Sequence, residues 1–326
     1  MKHLSSTTSI SHDRDPRMQN VLELRNAHKQ FNGTKALCGA SLTLQQGHWL
    51  ALVGPNGAGK TTLIRSIAGR IGLDAGHLKL FGQEVGPTQS FNNVVHKRVG
   101  VVPQNLAIYF HLTAIENLQA FAVFHNVNQT DINERVEWAL QWTGLHERKD
   151  DLANDYSGGM KRRLNLACGV LHKPELLLLD EPMVGVDPQS RERIWEMLDS
   201  LRCNGTSILL TTHQLDEAQQ MADRVIVLDH GREIANGTLD ELISQTVGKD
   251  HRVEILLKQE IKTSLNIEGI TPERDRIRCA MVDIADQLPS LLSDLKNAGC
   301  EVLEIRIHTP TLRDVFLSLT GRDLRE

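Results

Sequence analysis

Long apolar runs are missing from this 326-residue chain. Its unbroken aliphatic stretches end at four residues, as in Leu176–Leu179, against about 18 needed to span a bilayer. A role at a membrane is therefore expected to come through a partner. Cysteine is sparse: Cys38, Cys168, Cys203, Cys279 and Cys300 are scattered, odd in number and never in C-x-x-C spacing. That pattern fits reduced cytosolic thiols and excludes a disulfide framework or a zinc site. Positive charge is not in excess. With 36 Lys and Arg against 41 Asp and Glu, a formal charge of −5, and no basic run of five residues, no nucleic-acid partner is expected. Internal repeats and low-complexity segments are also lacking. Residues 1–18 are rich in Ser, Thr, His and Asp, without the apolar core of a signal peptide or anchor, and are expected to form a disordered arm.

What is present is a soluble globular composition, 40% hydrophobic and 24% charged. The length has room for one large domain and a small one, or for two medium ones. The chain is organised around Gly54-Pro55-Asn56-Gly57-Ala58-Gly59-Lys60-Thr61-Thr62, a G-x-x-x-x-G-K-T phosphate-binding loop. An apolar strand, Trp49–Val53, precedes it, and a helix with Leu63, Ile64 and Ile67 on one face follows, the context that this motif requires. The glycines let backbone N–H groups turn inward on a phosphate, and the helix N-terminus adds partial positive charge. Lys60 supplies a full charge to the β- and γ-phosphates, and the Thr61 hydroxyl is suited to Mg2+.

Around the loop, Val21–Leu24 and Ala40–Leu44 flank an Asn32-Gly33 hairpin turn. Strands are expected at His77–Phe81 and Val99–Val102, the second stopped by Pro103. Residues 105–155 read as mostly helical. Thr113-Ala114-Ile115-Glu116 is a capping box, and Trp138 and Trp142, four apart, read as helix packing. Ser157 opens another helix. Leu176–Asp180 reads as a buried parallel strand. Strands at Ser207–Thr211 and Arg224–Leu228, with a helix at Gln214–Ala222 between them, complete an α/β alternation. The organisation changes near Gly248. Val253–Leu257 and the strictly alternating Leu303–Ile307 are strand-like, and Leu288–Ala298 and Leu312–Leu319 helix-like, giving a small α+β domain.

The end of the Leu176–Asp180 strand carries paired carboxylates. Asp180 is placed to hold Mg2+, through water or directly, and Glu181 to polarise a water attacking the γ-phosphate. Downstream of the phosphate loop, Asn154-Asp155-Tyr156-Ser157-Gly158-Gly159-Met160-Lys161-Arg162-Arg163 resembles the signature segment of the ABC transporter ATPases, written L-S-G-G-Q or, in one exporter branch, L-S-G-G-M-K-R-R. The likeness spans about residues 20–240, with every motif in order. It implies an α/β P-loop NTPase of the ABC-cassette type, with a mixed sheet, an antiparallel β subdomain and a helical subdomain at about 105–172. The cassette would occupy 19–247 and the small α+β accessory domain 248–326.

The resemblance also implies roles. Ser157, Gly158 and Gly159 form a second anion nest that meets the γ-phosphate held by the opposite subunit, while Ser157 also caps its helix. Gln104 matches the Q-loop glutamine that senses Mg2+ or the attacking water. Asp187 matches the D-loop aspartate that crosses the dimer interface, and also suits a helix cap before Pro188. His213 matches the switch histidine at the γ-phosphate. Phe31 stands where an aromatic stacks on adenine, with hairpin packing as its rival reading. Tyr156 in place of Leu, and Met183 in place of Thr or Ser, depart from the pattern without removing a phosphate-contacting group.

Taken together, the resemblance implies an ATPase requiring ATP and Mg2+, working as an ATP-dependent homodimer or as a heterodimer with a related ATPase. It would lie on the cytoplasmic face of the cell membrane through integral membrane permease subunits, contacted near Tyr109, Phe110 and Asn117. The Met-Lys-Arg-Arg signature and the segment Thr309–Leu317 resemble exporters of drugs, polysaccharides or lipid-linked cargo. A soluble ABC ATPase acting on ribosomes or DNA, and an importer ATPase with a regulatory tail, are the alternatives.

Overall fold

The Asn32-Gly33 dipeptide folds as its chemistry demands: Asn32 (φ 45°) and Gly33 (φ 87°) take left-handed backbone and reverse the chain. The computed structural model describes residues 19–86, 95, 97–259 and 271–321; the expected arm at 1–18 lies outside them. Strands β1 (Asn20–Phe31) and β2 (Thr34–Gln45) pair antiparallel from Phe31↔Thr34 to Asn20↔Gln45. They run further than their apolar cores suggest, because irregularities near Leu24–Ala27 and Lys29–Gln30 carry the pairing through polar residues. With β4 (Ala75–Leu80) and β5 (Gln83–Val85) they form an antiparallel sheet ordered β2-β1-β4-β5.

The mixed sheet has the order β10-β9-β3-β8-β7-β6. Its members are β3 (Trp49–Val53), β6 (Val99–Val102), β7 (Leu176–Asp180), β8 (Ser207–Thr212), β9 (Arg224–Asp229) and β10 (Arg232–Gly237). Strands β6, β7 and β8 are parallel, in register from Val99↔Leu176 to Asp180↔Thr211. Every residue of β7 is buried, and each leucine so placed contributes about 1.5–3 kcal/mol.

Contacts divide the chain into two units: residues up to Leu50 with Thr61–Thr211, and Ala51–Lys60 with the residues from Thr212 onward. This grouping places 212–247 with the C-terminal segment, a partition different from one drawn at Gly248. The first unit holds α1 (Lys60–Ile67) from Thr61 onward, and α2 (Ala114–Phe124), α3 (Ile132–Thr143), α4 (Gly158–Val170) and α5 (Pro188–Cys203). Leu118, Leu140 and Leu164 centre a helical core. The Thr113–Glu116 capping box forms. Trp138 and Trp142 stack with centroids 5.2 Å apart, and the Trp142 indole donates to Ser200 Oγ at 2.9 Å.

The stretch 105–155 is mostly helical from Ala114 onward, while residues 105–113 before the capping box are not helical. Asn117 replaces helical hydrogen bonding there: its Oδ1 accepts from Tyr109 N at 2.7 Å, and its Nδ2 donates to Tyr109 O and Thr113 O at 2.9 Å. Asn117 is fully buried.

In the second unit lie α6 (Leu215–Met221), α7 (Leu239–Thr246), β11 (His251–Leu257), β12 (Thr271–Glu273), β13 (Arg276–Met281), α8 (Ile284–Asn297), β14 (Val302–His308) and α9 (Leu312–Thr320). The last four strands form an antiparallel sheet ordered β12-β13-β11-β14. Leu291 and Leu295 of α8 pack on Val253, Ile255 and Ile277. Strands β10, β12 and β13 and helix α7 have no counterpart among the elements expected from the sequence.

Candidate active site

Strand β3 delivers the chain into a loop that only glycine can enter. A Cβ on Gly54 would fall 2.2 Å from Leu228 O. Lys60, 5% exposed, closes the loop from its far end: its ammonium donates to Gly54 O at 2.7 Å and Pro55 O at 3.0 Å. Ala58 N donates to Pro55 O, and Gly231 N to Ala58 O, which fixes the turn between Asn56 and Gly59. Asn56 and Gly57 at the tip are exposed. Left-handed backbone at Gly57 (φ 82°) and Gly59 (φ 105°) supplies the curl.

One residue past Lys60, the Thr61 hydroxyl donates to Asp180 Oδ1 at 3.2 Å. The parallel register of β7 and β8 sets Asp180 beside Thr211, whose hydroxyl also donates to Oδ1, at 2.8 Å. Glu181 has φ 46°, a conformation costing a non-glycine residue about 1–3 kcal/mol. It is held there because its N–H is shared by Thr211 O at 3.1 Å and Thr211 Oγ1 at 3.0 Å. Across the strand ends, Gln104 Nε2 donates to Glu181 Oε2 at 3.2 Å. Arg162, only 6% exposed, donates to Gln104 O at 2.9 Å and Val184 O at 3.3 Å. Burial pushes this guanidinium below its ordinary basicity.

Ser157 caps α4, its Oγ accepting from Met160 N at 3.3 Å. Ser157 and Gly158 are exposed while Gly159 is buried, because α4 approaches α5 at that point: a Cβ on Gly159 would lie 2.1 Å from Ser190 Oγ and 2.6 Å from Ser190 Cβ. Asp187 caps α5 by accepting from Ser190 N at 2.9 Å, and that bond holds its carboxyl below the usual range. In the second unit, His213 follows Thr212, whose hydroxyl donates to Glu217 Oε2 at 3.1 Å and accepts from Gln214 N at 2.9 Å. Phe31 sits at the end of β1, 42% exposed, with the Lys29 ammonium 5.4 Å from its ring centre. These contacts join Thr61, Asp180, Glu181 and Gln104 into one network, and Ser157, Gly159 and Asp187 into a second cluster.

A family model described as ABC transporter matches residues 37–184. The daunorubicin resistance ATP-binding protein DrrA3 of Streptomyces coeruleorubidus is 36% identical over 312 residues, covering 94% of this chain and 97% of its own. The Nod factor export ATP-binding protein I of Cupriavidus metallidurans is 37% identical over 312 residues, covering 95% of this chain and all of its own. This chain belongs to the ABC transporter ATP-binding proteins.

Among solved structures, an ATP-binding subunit of an ABC transporter superposes with a TM-score of 0.62 at 28% identity, over 69% of this chain and 92% of its own. ABC ATP-binding domains bind nucleotide and hydrolyse ATP. The two departures of this ABC protein from the family pattern are accommodated in its core. Tyr156 is 3% exposed, with its hydroxyl donating to Arg148 O at 2.6 Å, and Met183 is 2% exposed. Among the described residues, no helix is long and apolar enough to cross a membrane.

Thr211 and Arg162 are absent from the residues that the sequence singles out. A Thr-Thr pair ending an otherwise apolar strand was the available signal for the first; for Arg162 nothing in the basic Lys-Arg-Arg run distinguished a buried arginine from solvated ones.

Proposed function

We propose that this protein is the ATP-hydrolysing subunit of an ABC-type exporter that energises a separate membrane permease. The observation that carries the site reading is the network from Thr61 through Asp180 and Glu181 to Gln104, with 3.2 Å links at both ends. Oxygen donors from Thr61, Asp180 and Gln104 suit a hard divalent cation, so these residues would hold Mg2+. When bound, Mg2+ neutralises charge on the β- and γ-phosphates. The loop from Gly54 to Thr62 would bind the phosphates through its amides, with Lys60 exchanging its loop carbonyls for phosphate oxygens. Glu181 accepts a proton from the attacking water, oriented by Gln104 Nε2, and His213 donates to the γ-phosphate. Phe31 offers a ring face to adenine.

The exposed Ser157–Gly158 cap presents a hydroxyl and amide donors that are met, in this reading, by the γ-phosphate of a second ATPase subunit, with Asp187 at the same interface. ATP then joins two subunits, and hydrolysis parts them. For the permease, a cavity of about 590 Å³ in the first unit offers a receptor of mixed chemistry, with Arg70, Lys97 and Pro103 beside Phe121 and Phe124. Exposed Tyr109 is near Phe121 in that unit, their ring centres 6.0 Å apart. The names of the relatives, resistance and export ATP-binding proteins, support export as the direction and the cytoplasmic face of the membrane as the place.

The test is ATP retention. Glu181→Gln protein should bind MgATP and keep it through gel filtration without turnover, and adding Ser157→Arg should abolish retention while leaving initial binding intact. Hydrolysis by Glu181→Gln at the unsubstituted rate would remove the base assignment. Equal retention with and without Ser157→Arg would remove the split site.

A further inference from the structure

Helix α6 (Leu215–Met221) begins two residues after His213. At two turns it is too short to hold its place by helix formation alone, so its position is set by what grips it. The first grip is Glu217, 5% exposed. Its Oε2 accepts from the Thr212 hydroxyl at 3.1 Å, and the same hydroxyl oxygen accepts from Gln214 N at 2.9 Å. The bond from Gln214 N to Thr212 closes a ring of side chain and backbone around the one residue between them. That residue is His213. A carboxylate is a costly choice for a buried position; what Glu217 supplies here is an acceptor for the hydroxyl that clasps the histidine.

Two residues on, Gln219 makes the second grip. Its Oε1 accepts from Leu312 N at 2.8 Å, from 93 residues away in sequence. Leu312 is the first residue of α9 (Leu312–Thr320), where a backbone N–H has no partner within its own helix. Thr311 and Asp314 satisfy each other's N–H groups as a capping box, and Gln219 takes the donor that the box leaves over. Leu312, Val315 and Phe316 are buried, which anchors α9, and α9 packs against α6. A link thus runs from the C-terminal helix through Gln219, Glu217 and Thr212 to His213, all within the second unit.

We propose that Glu217 and Gln219 are positioning residues for His213, and that through Gln219 the C-terminal segment sets the rate at which bound ATP is cleaved. The inference rests on the reading of His213 as donor to the γ-phosphate. A donor displaced by about 1 Å loses most of its effect on a transition state. Loosening α6 therefore slows turnover, while nucleotide binding, which rests on the phosphate loop, is kept.

The experiment combines steady-state ATP hydrolysis and MgATP binding by the full chain with the carbon-bound ring proton signals of its histidines. The His213 signal is identified by its loss in His213→Ala. Gln219→Met keeps the length of the side chain and removes the acceptor. It should lower kcat about tenfold, leave MgATP affinity within about twofold of the parent, and move the His213 ring signal. Gln219→Glu, which restores an acceptor, should recover kcat. Glu217→Leu should behave as Gln219→Met does, and Glu217→Gln should recover. In the His213→Ala background Gln219→Met should slow the protein no further, since residues acting through one group are not additive. Circular dichroism of each variant should match the parent. An unmoved ring signal and kcat in Gln219→Met overturn the proposal while the histidine assignment stands. If Gln219→Met slows His213→Ala protein further, the effect bypasses the histidine and the proposal fails. If His213→Ala hydrolyses ATP at the parent rate, the histidine assignment itself falls, and the proposal with it.

Discussion

The Thr211 hydroxyl donates to Asp180 Oδ1 at 2.8 Å and accepts from Glu181 N at 3.0 Å, so one side chain positions both carboxylate residues. Thr211→Val keeps the shape and removes the bridge, leaving a buried carboxylate oxygen and an amide with one partner fewer. The expected loss is about 1–3 kcal/mol in stability, with kcat for ATP falling more than KM changes. Thermal denaturation and steady-state kinetics test this, and Thr211→Ser should recover most of both. An active, fully stable Thr211→Val protein would show that the register alone places Asp180.

Arg162 joins the signature helix to the backbone beside Gln104 and Val184. Lysine cannot reproduce a planar fork that reaches two carbonyls. Arg162→Lys should therefore lower kcat about ten- to hundredfold through misplacement of Gln104, while ATP binding measured by fluorescence or calorimetry stays near that of the parent. Equal losses in binding and turnover would instead point to general unfolding.

Packing makes Gly159 more than a signature letter. Gly159→Ala would drive a methyl into Ser190, forcing α4 and α5 apart at an expected cost of about 1–3 kcal/mol. Combining it with Ser190→Gly should recover part of the lost melting temperature. If the single substitution leaves the melting temperature unmoved, the two helices are looser than their contact implies.

Acid should weaken the fold through a histidine pair. The rings of His125 and His172 stack at 4.1 Å, with His172 Nε2 3.1 Å from Val99 O and His125 Nε2 3.0 Å from Cys168 O. Burial, then the neighbouring His125, pushes His172 down to about 4; burial also lowers His125. The unfolded chain thus binds protons that the folded chain refuses between about pH 6.5 and 4, so stability falls as pH drops through that window. For His172 alone the loss approaches about 3 kcal/mol, since each tenfold difference in proton affinity between folded and unfolded chain is worth about 1.4 kcal/mol. Urea denaturation at stepped pH should show this slope, and His172→Gln should flatten it.

Features carried by local pattern were readable in the chain. Trp49–Val53, the glycine loop and the Leu63–Ile67 face announce strand, turn and helix in sequence, and Leu176–Asp180 announces a buried strand ending in acid. Capping at Thr113, Ser157 and Asp187 follows from residue chemistry within three positions. What escaped depends on distant partners. Strand β13 reads Arg-Ile-Arg-Cys-Ala-Met, and only pairing with β11 makes it a strand. Asn117 looks like a surface amide until the chain from Tyr109 to Thr113 wraps around it. Thr211 acquires its role only when β8 lies beside β7, thirty-one residues away from Asp180 in sequence.

The left-handed backbone at Glu181 sets durability against turnover. Glycine at 181 would adopt that φ without strain, and the folded scaffold would gain on the order of 1 kcal/mol while losing its carboxylate. A selection for heat resistance alone would thus drift toward an inert protein at this position, and one for activity would restore a residue that the backbone resists.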